Sequence, residues 1–391
     1  MKKTLNAMFV AMLALPMLQK AVKFLPEPVL VGVETRGAKT PLSAGNWFSG
    51  KFAADFEARL GVKIGFRGYF VKLSNQIDYS LFGKIRGRRG TQIVVGRDNW
   101  LYEQAYIDYF IKNPALPGGD LKRYAGRIRQ LQDALQKRGV VFLLVISPSK
   151  VEIYPEYLPA PLREQCAGRR HRTIRQELLT RLDEAGVRYV DAHALFKDLK
   201  RGSDVLFAPQ GTHWNYYGSL LAVRRAVQCI NASGLLSVPV PEVKSVRYLP
   251  ALGSDNDLEL LMNLLWFDKT RSPPIPYPEV MVEAVPPAER PDFLVVGDSF
   301  SFTVVDSIRY ARLSRNVDLL YYNKRLYSYP PEEFTDYAAD HPGAEVGPLA
   351  ELPPEERDRL AGAEVVILEI NEILLNKGGW GFIEEAVARL R

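Results

Sequence analysis

The residues best suited to chemistry stand in the run Gly297-Asp298-Ser299-Phe300-Ser301. The run follows an apolar segment, Phe293 to Val296, so a turn opened by glycine presents Ser299 at the mouth of a sheet. There its hydroxyl can attack an acyl carbon while its own amide helps to hold the oxyanion. The plainer role of such a turn is to let Asp298 or Ser299 cap the next helix, and the pentapeptide alone leaves both open. A nucleophilic serine needs a base, and the chain has four histidines. His213, in Gly211-Thr212-His213-Trp214-Asn215, precedes a helical pattern through Leu220, Val223 and Val227, with Trp214 beside it to wall the imidazole from water. His171 opens a basic stretch and His341 lies in an acidic, proline-rich one, so both read as solvated. His193 belongs to Asp191-Ala192-His193, a D-x-H pair unless it simply begins a helix.

A second oxyanion donor is expected from a neighbouring strand end, where Tyr321-Tyr322-Asn323 is the best local choice. With Asp298 and Trp214 these three form the expected oxyanion and substrate shell; packing at the rim is their alternative role. Glu369 and Asn371 close another strand, to line the site or satisfy loop backbone. Lys150 follows a strand end and would meet an anionic glycan or acyl donor, unless it is an ordinary exposed lysine.

These groups need a scaffold, and the hydrophobic spacing supplies one. From Gly119 the pattern is α/β: Leu121, Tyr124, Ile128, Leu131 and Leu135 recur at helical spacing behind a capping Asp120, Gly139 stops the helix, and Val140 to Ile146 is a buried strand. The plan repeats with Ile174, Leu178 and Leu182, a stop at Gly186, and a strand from Val187 to Val190 that ends at Asp191. Further strands are expected at Phe293 to Val296, Val317 to Tyr321 and Val365 to Ile370, with a closing helix through Trp380, Ile383, Val387 and Leu390. Alternating helix and strand predicts a mainly parallel sheet, and such sheets hold ligands at the carboxyl ends of their strands. Pro273 to Pro287 and much of Pro330 to Pro354 read as surface connections, and Ile93-Val94-Val95 with Trp100-Leu101-Tyr102 as a hairpin.

With 391 residues, 47% of them hydrophobic and 25% charged, the chain can bury a large core. Its net charge of +6 suits an anionic partner. The basic clusters Arg86-Gly87-Arg88-Arg89 and Arg169-Arg170-His171-Arg172 carry no nucleic-acid signature, so nucleic acid is not expected as a partner. No spacing suits a metal site and no fingerprint suits a cofactor, so neither is expected. Cys166 and Cys229 form either one disulfide or two thiols. Residues 1–24 combine Lys2 and Lys3 with an apolar run from Leu5 to Leu18, the pattern of a signal peptide or a retained membrane anchor. Residues 25–118 are expected to be an extension packing on the α/β domain of 119–391.

The serine run, Thr212-His213-Trp214, and the upstream phrases Ile93 to Tyr102 and Pro148 to Pro155 together resemble the AlgJ/AlgX-like polysaccharide O-acetyltransferases over roughly residues 50 to 375. The resemblance implies an SGNH hydrolase-like three-layer α/β sandwich. It further implies Ser299 as nucleophile, His213 as base, a periplasmic location, an alginate-type exopolysaccharide substrate, and a membrane-bound O-acyltransferase that supplies acetyl groups; the N-terminal pattern adds a tether to the inner membrane. One position departs from the pattern. The family's aspartate falls at Gly211, which cannot orient an imidazole. Three readings follow: another carboxylate reaches His213, with Asp191 and Asp204 nearest in sequence; a backbone carbonyl or water does so; or the protein binds glycan without efficient turnover. A glycan acetyl esterase would need the same Ser299 and His213.

Overall fold

The computed structural model describes residues 2–32, 40–83, 85–86, 92–168, 171–202, 204–329 and 344–390. His341 and most of the two arginine clusters lie outside them. Chain contacts divide the molecule into one unit of residues 1–94 with 258–269, and another of residues 95–257 with 270–391. The α/β unit therefore begins at Val95, ahead of the expected start at Gly119, and a short stretch from the middle of the chain belongs with the N-terminal residues.

The α/β unit is built on a seven-stranded sheet, with strands numbered here in chain order: β1 (Val141–Ser147), β2 (Tyr189–Asp191), β3 (Phe293–Gly297), β4 (Val317–Tyr321), β5 (Arg325–Tyr329), β6 (Ala344–Pro348) and β7 (Val365–Asn371). Their spatial order is β6-β5-β4-β3-β7-β1-β2. The five strands β4, β3, β7, β1 and β2 run parallel, with Ile367 of β7 set between Val295 and Leu143. β5 and β6 add an antiparallel edge. β1, β3 and β7 are buried at every position, as near-continuous apolar strands covered on both faces should be. Phe142, Leu144 and Ile146 share one core with Ile128, Leu178 and Ile383, from helices Gly118–Gln136, Ile174–Ala185 and Phe382–Leu390. Helices Tyr216–Asn231 and Ser301–Tyr310 pack together and cover strands of the sheet as well. This is the expected α/β sandwich with a mainly parallel central sheet.

The proline-rich stretch after Pro273 differs from its reading as a connection. Ile275–Met281 pairs antiparallel with Glu242–Leu249, and Ile275 and Tyr277 are buried. Pro276 and Pro278 are tolerated because each strand of a two-stranded ribbon is an edge strand. Ala344–Pro348 likewise makes a strand inside the second proline-rich stretch. Both cysteines are free thiols. The N-terminal helix Lys2–Val22 contains Pro16, and no helix among the described residues is long and apolar enough to cross a membrane.

Candidate active site

Ser299 leaves the carboxyl end of β3 on a turn that only glycine can open. A Cβ on Gly297 would collide with the Ser301 hydroxyl and lie 2.8 Å from the carbonyl of Glu369 on the adjacent strand. Asp298 fixes the turn from within: one carboxylate oxygen accepts the Phe300 amide at 3.0 Å and the other the Asn371 amide at 2.8 Å. Below it, Glu369 accepts the hydroxyls of Ser147 at 2.5 Å and Ser301 at 2.8 Å. Burial pushes both carboxyls up; Asp298 raises Glu369 further, while the backbone amides of Asn371 and Phe300 and a hydrogen bond with Glu369 pull Asp298 back down. Asp298 is thus consumed in building the turn and does not face substrate, a correction to its expected place in the oxyanion shell.

The Ser299 hydroxyl donates to Nε2 of His213 across 2.8 Å. The opposite nitrogen, Nδ1, lies 2.8 Å from Oδ2 of Asp257. The other oxygen of Asp257 accepts the Thr212 amide at 2.8 Å, which fixes the carboxylate to the backbone next to the histidine. Burial pushes the His213 imidazole down, but Asp257, Glu103 and Asp298 together outweigh it and hold its pKa above the usual value. Serine, histidine and aspartate in this geometry can pass a proton from hydroxyl to imidazole and stabilise the imidazolium that results.

Asp257 stands where sequence reasoning did not look, and Gly211 explains how. A Cβ at position 211 would lie 2.9 Å from the carbonyl oxygen of Asp255 and 3.0 Å from that of Ser254. The segment that delivers Asp257 fills the volume that an aspartate at 211 would need. Its neighbour Asp255 takes no part: it is buried, bonded to the Tyr277 hydroxyl at 2.7 Å, and pushed up to about 8 by burial. Nor do the two carboxylates expected as substitutes. Asp191 is held by Arg175 at 2.6 Å, and Asp204 accepts the Tyr248 hydroxyl at 2.6 Å. His193 meets Glu372 at 3.0 Å and Arg175 meets the same carboxylate at 3.2 Å, so the D-x-H pair belongs to a buried ion network.

The His213 loop is braced by the two upstream phrases. Lys150, only 4% exposed, donates to the carbonyls of Ala208 and Pro209 at 3.1 Å each and to that of Gly211. Its ammonium also faces the rings of Trp100 and Tyr102 at 5.7 and 5.1 Å. It is therefore spent inside the protein and cannot meet an anionic glycan, a second correction. The Leu101 amide donates to Pro209 at 2.8 Å, and the Thr212 hydroxyl donates to Glu103 at 2.6 Å. Burial pushes Lys150 down to about 7, and Lys150→Met should leave three carbonyls without their hydrogen-bond donor and cost about 2–4 kcal/mol. A lowered denaturation midpoint would register it, with Lys150→Arg giving little rescue, because a planar fork does not match three converging carbonyls.

Trp214 is fully buried and donates to the Thr303 hydroxyl at 2.6 Å. Phe300 packs edge-on against both rings, 4.8 Å from His213 and 5.6 Å from Trp214, so Phe300 is the ring beside the imidazole and Trp214 supports it from inside. Tyr321 and Tyr322 stay beside the serine turn, since the Tyr322 amide donates to the Gly297 carbonyl at 2.8 Å. Their rings lie 4.4 Å apart, and Tyr322 holds a left-handed backbone with φ 51°. Asn323 turns away, donating to the Trp380 carbonyl at 3.4 Å and to Glu385 at 3.2 Å. Sequence reasoning also missed Glu103 and Tyr106, one helical turn apart. Burial first, then Glu103, Asp298, Tyr322 and Asp257, raise the Tyr106 hydroxyl well above its usual value, so it stays protonated.

Residues 93–319, more than half of the chain, match the family model described as the SGNH hydrolase-like domain of acetyltransferase AlgX. A probable alginate O-acetylase AlgJ of Pseudomonas aeruginosa is 31% identical over 204 residues, covering 52% of this chain and 47% of its own length. One from Azotobacter vinelandii is 25% identical over 235 residues, covering 60% and 56%. The matched region thus spans about half the length of these relatives. Among solved structures, the O-acetyltransferase domain of Pseudomonas putida AlgJ aligns with 76% of this chain and 98% of its own at 19% identity, TM-score 0.43.

Proposed function

Since the chain belongs to the SGNH hydrolase-like AlgX acetyltransferase family, we propose that it transfers acetyl groups to hydroxyls of an exopolysaccharide through an acetyl-Ser299 intermediate. The observation that carries this reading is the line Ser299, His213, Asp257, with 2.8 Å at each step. His213 takes the Ser299 proton as Oγ attacks the acetyl carbonyl carbon of the donor. The tetrahedral oxyanion draws on the Ser299 amide. Collapse breaks the bond to the donor's leaving atom, which receives the proton from Nε2. A sugar hydroxyl then gives its proton to His213, attacks acetyl-Ser299, and releases the O-acetylated sugar as His213 returns the proton to Oγ.

The alginate-modifying relatives support an alginate-type polymer as acceptor, and the basic, apolar residues 1–24 support a tether to the inner membrane with the site in the periplasm. A membrane-bound O-acyltransferase is the fitting donor partner, since acetyl groups must cross that membrane. A glycan-binding role without turnover drew its force from Gly211, and Asp257 takes that force away.

Intact-mass measurement after incubation with p-nitrophenyl acetate tests the reading. The wild-type chain should gain one acetyl group, mapped to Ser299, and added oligosaccharide should discharge it as sugar ester. An adduct that never forms, or forms elsewhere, would sink the proposal.

A further inference from the structure

The N-terminal unit carries a helix turned inside out. Arg67–Phe82 sends its polar residues inward: Gln76 is buried and accepts the amides of Leu265 and Trp266 at 3.1 Å each, and Asn75 donates to the Met262 carbonyl at 2.8 Å. Its apolar residues Phe70, Leu73, Ile77 and Leu81, at spacings of three, four and four, form a stripe outward, each 47–69% exposed. Leu265 and Trp266, at the segment those polar groups grip, are also 51% and 64% exposed. Single exposed apolar residues need no explanation, but a helical stripe joined by an exposed tryptophan requires an apolar partner.

Charge indicates which partner. Residues 1–94 with 258–269 hold 16 Lys and Arg against 7 Asp and Glu, a formal +9. The whole chain carries +6, so the α/β unit is at −3. A basic unit with an outward apolar stripe and an interfacial tryptophan has the chemistry of a surface that lies in the headgroup region of an anionic bilayer. A protein partner would account for the stripe but gives no reason for this separation of charge.

We propose that the stripe of helix Arg67–Phe82, with Leu265 and Trp266, docks on an anionic phospholipid surface. This contact is separate from whatever residues 2–22 do, and it does not depend on the acyl-transfer reading. The depth of Trp266 tests it in the full-length protein. Vesicles of brominated phosphatidylglycerol should quench and blue-shift an emission component that Trp266→Phe removes, whereas phosphatidylcholine vesicles should leave that component alone. The fourfold variant Phe70→Ser, Leu73→Ser, Ile77→Ser, Leu81→Ser should lose the Trp266 signal and bind phosphatidylglycerol vesicles at least tenfold more weakly. Its ester hydrolysis in solution should stay at the wild-type level, which reports an intact α/β unit. Quenching of Trp266 that is absent on vesicles to which the protein is bound would overturn the proposal even if the variant failed to fold. Unchanged vesicle affinity of a folded variant would overturn it too, as would a stripe whose loss only converts a dimer to a monomer in light scattering.

Discussion

Ser299→Ala should lower kcat for acetyl transfer, and for hydrolysis of an activated acetyl ester, by roughly 10⁵- to 10⁶-fold, with little change in thermal stability. The size follows from the chemistry: without Oγ no acetyl-enzyme forms, and what survives is binding and oxyanion stabilisation acting on water. The stability follows from the fold, since the side chains that build the turn are those of Asp298, Ser301 and Glu369. Among the described residues, the hydroxyl of Ser299 makes one hydrogen bond, to His213. The two halves of the prediction guard each other. A loss of activity accompanied by a fall in denaturation midpoint would mean that the turn had been disturbed, and a variant that kept more than about 1% of wild-type activity would remove Ser299 from the reaction.

The serine turn and His213 are legible in the sequence because each is a local pattern. An apolar strand, a glycine and a serine name the turn, and with four histidines in the chain the base is nearly found by elimination. The parallel sheet is legible for the same reason, since strands buried on both faces read as unbroken apolar runs. Asp257 is not, because nothing local marks it: it lies in Gly253-Ser254-Asp255-Asn256-Asp257, where a turn of polar residues is the ordinary reading. The available signal is Gly211 itself. A glycine at the family's acid position means that something else occupies the space, and an acidic turn elsewhere is the natural supplier. Lys150 misleads because a lysine after a strand is usually solvated, and its three carbonyl partners come from a distant loop whose path only the fold reveals. Asp191 invites attention by proximity in sequence, but Arg175 on the facing helix claims it.

The acid at position 257 gives the second large expected effect. Asp257→Asn should lower kcat by roughly 10³- to 10⁴-fold, less than Ser299→Ala, because Nε2 can still accept the Oγ proton while the imidazolium loses its partner and its ring its orientation. The pH dependence distinguishes this from a merely structural defect. His213 must be neutral to act as base, and carboxylates hold its pKa above 6.5, so wild-type kcat/KM should rise with pH through an apparent pKa above that value. Of the carboxylates that raise it, Asp257 acts most strongly. The rising limb of Asp257→Asn should therefore move to lower pH as its plateau falls, with Glu103 and Asp298 still holding part of the shift. A limb that stays in place would mean that Asp257 does not set the basicity of His213. The companion variant asks whether the acid can return to its family position. In an Asp257→Ala background, Gly211→Asp should not restore activity, because its Cβ would press on the backbone oxygens of Asp255 and Ser254 at 2.9 and 3.0 Å. Backbone there has to shift, at about 1–3 kcal/mol, before the new carboxylate can reach the ring. Recovery of even about a hundredfold by that double variant would show that segment 254–257 yields easily, and that delivery of the acid from this turn is not what keeps position 211 a glycine.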